Sequence, residues 1–104
     1  MNTTKTTLYV GLNDKDTKTQ KVDTMEAYKI VTTYISGVTD GCTIYNANGV
    51  YRHDDGSIVI EDTLRIELFE DDPAVIDGII TTLKRLLNQE SIIKQIEHVN
   101  TVFC

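Results

Sequence analysis

The stretch "GVYRHDDGSIVIED", Gly49 to Asp62, places His53, Asp54, Asp55, Glu61 and Asp62 within a single short segment. Imidazole and carboxylate donors at such density suit either a metal site or acid–base chemistry. A metal site needs three or four donors converging from separate elements, whereas His53, Asp54 and Asp55 are chain neighbours whose side chains diverge. Asp54-Asp55-Gly56 reads instead as a type I turn with glycine in the left-handed position, the usual three-residue hairpin loop with a bulge. No metal and no cofactor are expected. His98 falls on a strand with Ile96 and Asn100 as alternate neighbours and reads as a surface or satisfied histidine. His53, His98 and Glu61 are the only acid–base candidates. No Ser-His or Cys-His pair, glycine-rich phosphate loop or HExxH motif stands in the sequence, so no catalytic residue is assigned.

The turn must be held by strands, and both are visible. "GCTIYNANGVYR" and "SIVIEDTLRIELFE" are long β-branched runs on either side of "HDDG". If no further bulge intervenes, the turn fixes a register in which Arg52 pairs with Ile58, Tyr51 with Val59, Tyr45 with Arg65, Ile44 with Ile66 and Cys42 with Leu68. Cys42, Ile44, Leu64, Ile66 and Leu68 then point one way, and Thr43, Tyr45, Tyr51, Arg65 and Glu67 the other.

Before the hairpin, "TTLYVGL" alternates Leu8, Val10 and Leu12 against Tyr9 and Gly11, the period-2 signature of a strand with one buried face. The polar "NDKDTKTQK" that follows reads as a loop free to move. "VDTMEAYKIVTTYISG" opens with Asp23 as N-cap and Glu26 three residues on. Val22 is placed to staple onto Ala27, the apolar stripe is Ala27, Ile30, Val31, Tyr34 and Ile35, and Gly37 is the expected left-handed C-cap. After the hairpin, "DDPAVIDGIITTLKRLLNQ" has Asp72 to cap, Pro73 at the first helical position, and Lys84 and Arg85 near the C-terminal end of the dipole. Its stripe is Ile76, Ile79, Ile80, Leu83 and Leu87. Gly78 inside it costs about 1 kcal/mol in propensity, and its presence is explained either by closely packed strands or as a tolerated defect. "SIIKQIEHVNTVF" supplies a last strand.

The order strand, helix, strand, strand, helix, strand predicts one α+β domain over residues 1–104 with the ferredoxin-like βαββαβ plan: a four-stranded antiparallel sheet with both helices on one face. The other face then carries Tyr9, Tyr45 and Tyr51, with Arg65 and Glu67 beside them. Tyrosine couples a large apolar body to a hydroxyl that wants a partner, which suits an interface or ligand platform. The hairpin is also too long for its helices. Strand Cys42 to His53 extends about 40 Å, against about 22 Å for a helix of about fifteen residues. Val50, Tyr51, Ile58, Val59 and Ile60 lie on the overhang and are apolar on both faces. A second subunit covering this arm predicts a symmetric homo-oligomer, a dimer ahead of a trimer. Asn46, Asn48 and Asp62, on the helix-side face where helix cover runs out, are read as a wet hinge between core and arm rather than a ligand contact.

Sixteen acids against ten bases give a net charge of −6 with no basic cluster, which argues against nucleic-acid binding. The cysteines, Cys42 and Cys104, are far apart and suggest a reduced compartment, with Cys42 a small core residue. "MNTTKTTLYV" is polar where a signal peptide needs an apolar region, and no apolar run approaches a bilayer span. A cytoplasmic protein without membrane association is expected.

The residues also form a pattern that resembles a small bacterial family of uncharacterised domains. Its elements here are Tyr9 and Gly11 in the first strand, Gly41 and Thr43 running into Ala47, Gly49, Tyr51 and Arg52, then Gly56, Ile58 and Glu61, and Gln89 to Ser91 before the last strand. That family usually has tryptophan where this chain has Tyr51, and the secretory leader often seen there is missing. The resemblance implies the ferredoxin-like fold and no activity. The candidate ligand- or partner-binding set is Tyr9, Tyr45, Tyr51, Arg52 and Arg65. The function expected is a non-catalytic binding or regulatory module that holds a small molecule or protein on its open sheet face or in an intersubunit cleft. The alternatives are a mobile-element or phage inhibitor, anti-CRISPR or other anti-defence, binding a basic host protein surface, and a cofactor-free enzyme of the ferredoxin-like dimer type.

Overall fold

The computed structural model describes residues 2–104. Six elements follow in the expected order: β1 (Asn2–Gly11), α1 (Thr24–Ile35), β2 (Cys42–Arg52), β3 (Ile58–Leu68), α2 (Pro73–Leu86) and β4 (Ile93–Asn100). The strands form one antiparallel sheet in the order β2-β3-β1-β4, the ferredoxin-like arrangement. Among the described residues no helix is long and apolar enough to cross a membrane.

Alternation decides which face is covered. Leu8 and Val10 of β1 and Leu64, Ile66 and Leu68 of β3 are buried together with Ala27, Val31 and Ile35 of α1 and with Ile76, Ile79 and Leu83 of α2. Both helices therefore lie on one side, and the core sits over the two central strands. Cys42 and Ile44 pack at its margin, and burial pushes the Cys42 thiol up, as suits a packing residue. The helix starts follow their caps: an Asp23 carboxylate oxygen accepts from the Met25 N–H at 3.1 Å, and Asp72 from the Ala74 N–H at 2.9 Å.

The helix ends differ from expectation. Gly37 is not left-handed; α1 closes through the Ser36 N–H to Thr32 and the Val38 N–H to Ile35, a tightened turn that needs no positive φ. The left-handed residue is at the end of α2, where Asn88 has φ 49°, a role asparagine tolerates better than other side chains with a Cβ. Gly78 faces open space, so it is a tolerated defect in α2 rather than a point of close packing.

The hairpin register is the one the turn dictates, running from Cys42↔Leu68 through Tyr45↔Arg65 to Arg52↔Ile58. Gly56 has φ +89° and its N–H reaches the His53 carbonyl at 2.9 Å, while Asp55 accepts from the Ser57 N–H and hydroxyl. The acids of the opening stretch are thus partly spent on building the bend. Ladder pairing of β3 with β1 stops at Gly11↔Thr63, so Ile58–Glu61 is paired only with β2 and projects as an arm. The molecule measures 46 × 27 × 25 Å, elongated as an overhanging arm requires. Asp62, at the arm's base, accepts from the Thr24 hydroxyl and gives its carbonyl to the Leu12 N–H, tying the arm to the start of α1.

Candidate functional site

The uncovered face of the sheet is built by the odd-numbered residues of β1, β2 and β3. At its centre the Arg65 guanidinium lies between the rings of Tyr9 and Tyr45, 5.8 and 5.2 Å from their centroids. Glu67 anchors the set. Its carboxylate meets Arg65 at 2.9 Å and Lys5 at 3.2 Å, and accepts from the Tyr45 hydroxyl at 3.1 Å. Burial pushes the Glu67 carboxyl up, but Lys5, Tyr45 and Arg65 together outweigh it and hold the group below its ordinary value.

Toward the arm the face deepens into a cleft of about 580 Å³. Tyr9, Gly11 and Thr63 line its base, Gly49, Tyr51 and Val59 come from the arm, and Asn13, Gln89 and Ser91 come from the two loops beside β1 and β4. Asp14, Glu61 and Glu90 all contribute to its lining, and Glu61 is the carboxylate supplied by the arm. One oxygen accepts from the Tyr51 hydroxyl at 3.0 Å and the other from the Asn13 N–H at 2.9 Å. Gly11 is what permits this placement, because a Cβ there would lie 2.4 Å from a Glu61 carboxylate oxygen. Burial, then the hydrogen bond to Glu61 and its charge, push the Tyr51 phenol up, which keeps it a donor. His53 meets the Tyr51 ring edge-on, with 5.8 Å between ring centroids.

The loop wall is braced by hydrogen bonds. Asp14 accepts from the Asp16 and Thr17 N–H groups at 2.9 and 3.1 Å and from the Asn88 side-chain amide at 2.7 Å. The Gln89 amide donates to the Asn13 carbonyl at 2.8 Å. The end of α2 therefore clamps the β1–α1 loop over the cleft. The Asn88 hydrogen bond, with help from the Thr17 and Asp16 backbone and from Lys21, holds the Asp14 carboxyl at about 2, below its ordinary 3.8. Since the folded value is depressed, the stability it confers is present above pH 3.8 and is lost as pH falls toward 2. Acid titration followed by circular dichroism is expected to show this loss, and Asp14→Asn to flatten the profile in that window.

Of the five residues picked from the sequence, the structure brings Tyr9 and Tyr51 into the cleft. Tyr45 and Arg65 stand beside it in the stacked set. Arg52 lies on the helix-side face of the arm, where its guanidinium donates to the Gly56 carbonyl at 3.1 Å. Among the described residues no three His, Cys, Asp or Glu side chains gather as metal ligands. Asn13 and Thr63 line the cleft without having been singled out in the sequence. The Gln89–Ser91 motif of the family pattern was the available signal for the second loop.

Known structures share this fold. A phage SAM lyase in its apo state matches at TM-score 0.64 and 20% identity, covering 93% of this chain and 81% of the other. The phage SAM lyase in complex with S-methyl-5'-thioadenosine matches at TM-score 0.59 and 21% identity, covering 91% and 80%. CutA from Synechococcus elongatus PCC7942 matches at TM-score 0.57 and 13% identity, covering 92% and 75%. At these identities the likeness is one of fold. Comparison with curated proteins finds no match. Residues 5–103 match the family model described as "Protein of unknown function (DUF3574)", and the chain belongs to that family.

Proposed function

We propose that this protein is a small-molecule-binding module that works as a homo-oligomer, with the open-face cleft as its ligand site. The observation that carries the reading is the convergence, in one cleft of about 580 Å³, of Tyr9, Tyr51, Glu61 and Gln89 from four separate parts of the chain. That volume is in the range of small-molecule sites, where a mostly apolar lining with a few placed polar groups sets orientation. Tyr45 and Arg65 extend the same surface beside the cleft. The arm supports the oligomer. Val50, Ile58 and Ile60 share its helix-side face and are 65%, 52% and 67% exposed, a grouping of large aliphatic side chains that a monomer leaves in water. Arg52 lies on that same face and belongs to the contact with a second copy.

The fold's likeness to a phage SAM lyase, once with S-methyl-5'-thioadenosine bound, makes that neutral thioether and the sulfonium S-adenosylmethionine the first ligands to test. The chain has five tyrosines and no tryptophan, and two of the five, Tyr9 and Tyr51, line the cleft, so part of the tyrosine emission reports on it. Titration with S-methyl-5'-thioadenosine and with S-adenosylmethionine is expected to give a saturable change that Tyr51→Ala abolishes. No saturable change with either compound, together with no small molecule released on denaturing the purified protein, contradicts the reading.

A further inference from the structure

We infer that the ligand of this cleft is an organic cation, its positive centre seated against the Glu61 carboxylate and the ring of Tyr51. The inference deepens the small-molecule reading and rests on it. A carboxylate offers about four lone-pair directions, and two at Glu61 are engaged, by the Tyr51 hydroxyl and the Asn13 N–H. Both contacts orient the group and neither neutralises it. Among the described residues the ion pairs use Glu67 and Asp77, and no lysine or arginine pairs with Glu61. Lys15 and Lys18 line the loop side of the cleft without reaching ion-pair distance of it.

The chain makes room for this charge. Gly11 leaves the space that the carboxylate fills, and Gly49 stands across from Glu61 in the hairpin register, where a Cβ would come within 3.0 Å of the Thr63 hydroxyl. Two backbone positions without side chains therefore flank one fixed negative group at the base of a cleft. A half-buried carboxylate without a counter-charge is stabilised by a cation brought by the ligand, and the negative face of an aromatic ring adds to the same attraction. The Tyr9 ring is already turned to Arg65, whereas Tyr51 makes a T-shaped contact with His53 and no contact with a lysine or arginine, so Tyr51 is the ring for the ligand.

The test uses two probes of equal shape and different charge: choline and its uncharged carbon isostere, dimethylbutanol. Amide shifts of Gly11, Tyr51 and Ile93 in the isotope-labelled full chain report occupancy. Choline is expected to bind more tightly than the isostere, and Glu61→Gln to weaken choline about tenfold while leaving the isostere unchanged. Should Glu61→Gln unfold, salt gives the same answer on the wild type, because added sodium chloride weakens the cation and spares the isostere. Equal affinity for both probes, or choline binding indifferent to both Glu61→Gln and salt, overturns the charge requirement and leaves the small-molecule reading standing. Absence of any choline-induced shift at these amides also overturns it. The adenosyl titration with its denaturation control decides the small-molecule reading separately.

Discussion

Ile66→Ala is expected to cost about 2–5 kcal/mol, and Arg65→Ala, one residue away, only about 1 kcal/mol. The asymmetry follows from the pleat. Ile66 is fully buried at the centre of the sheet, beneath both helices. Truncating it removes apolar contact and leaves a cavity that a close-packed core closes only in part. Arg65 looks the other way, with its side chain 37% exposed, and loses two ring contacts and a solvent-screened pair with Glu67. Urea titrations measure both. The midpoint of Ile66→Ala is expected to fall far below that of Arg65→Ala, with an unchanged slope in each case. A reversed ranking would mean that the strand is turned over, since a slip of one residue exchanges the faces. It would remove the tyrosines from the open side and with them the proposed site.

The second large effect is expected at the arm. Ile58→Asp combined with Ile60→Asp places two charges on a face that, in the proposed assembly, a second copy covers. A loss of about 2 kcal/mol at each position weakens every such interface about a thousandfold, enough to release protomers at micromolar concentration. The protomer itself loses little, because both side chains already stand mostly in water. Sedimentation velocity is expected to show an assembly for the wild type and a monomer for the double variant, with near-equal thermal midpoints for the isolated protomers. Identical sedimentation of the two proteins would remove the arm from the assembly.

Local chemistry accounts for what was readable in the sequence. Asp54-Asp55-Gly56 fixed the hairpin register because only glycine sits easily at φ +89°, and from that single bend the facing of Tyr45, Tyr51, Arg65 and Glu67 follows by parity. The same parity assigns Arg52 to the side opposite Tyr51, away from the other members of the candidate binding set. The helix starts were legible because Asp23 and Asp72 cap them through contacts two residues away. The end of α1 misled because glycine is only permissive of a left-handed turn, whereas Asn88 is held in one by its bonds to Asp14 and Asp16. The walls of the cleft were beyond local reasoning. Asn13 meets Gln89 across most of the chain, and Glu61 reaches back to the Asn13 N–H, contacts that depend on how the β1–α1 loop folds onto the end of α2. The family pattern had marked Gly11, Glu61 and Gln89 without a reason, and the cleft supplies one.

Native mass spectrometry of the full chain, purified without added ligand, tests the central claim most directly, because one spectrum reports both subunit number and any retained compound. A homo-oligomer carrying a small molecule that Tyr51→Ala fails to retain is expected. A bare monomer, or an oligomer with the same adduct in wild type and Tyr51→Ala, would contradict it.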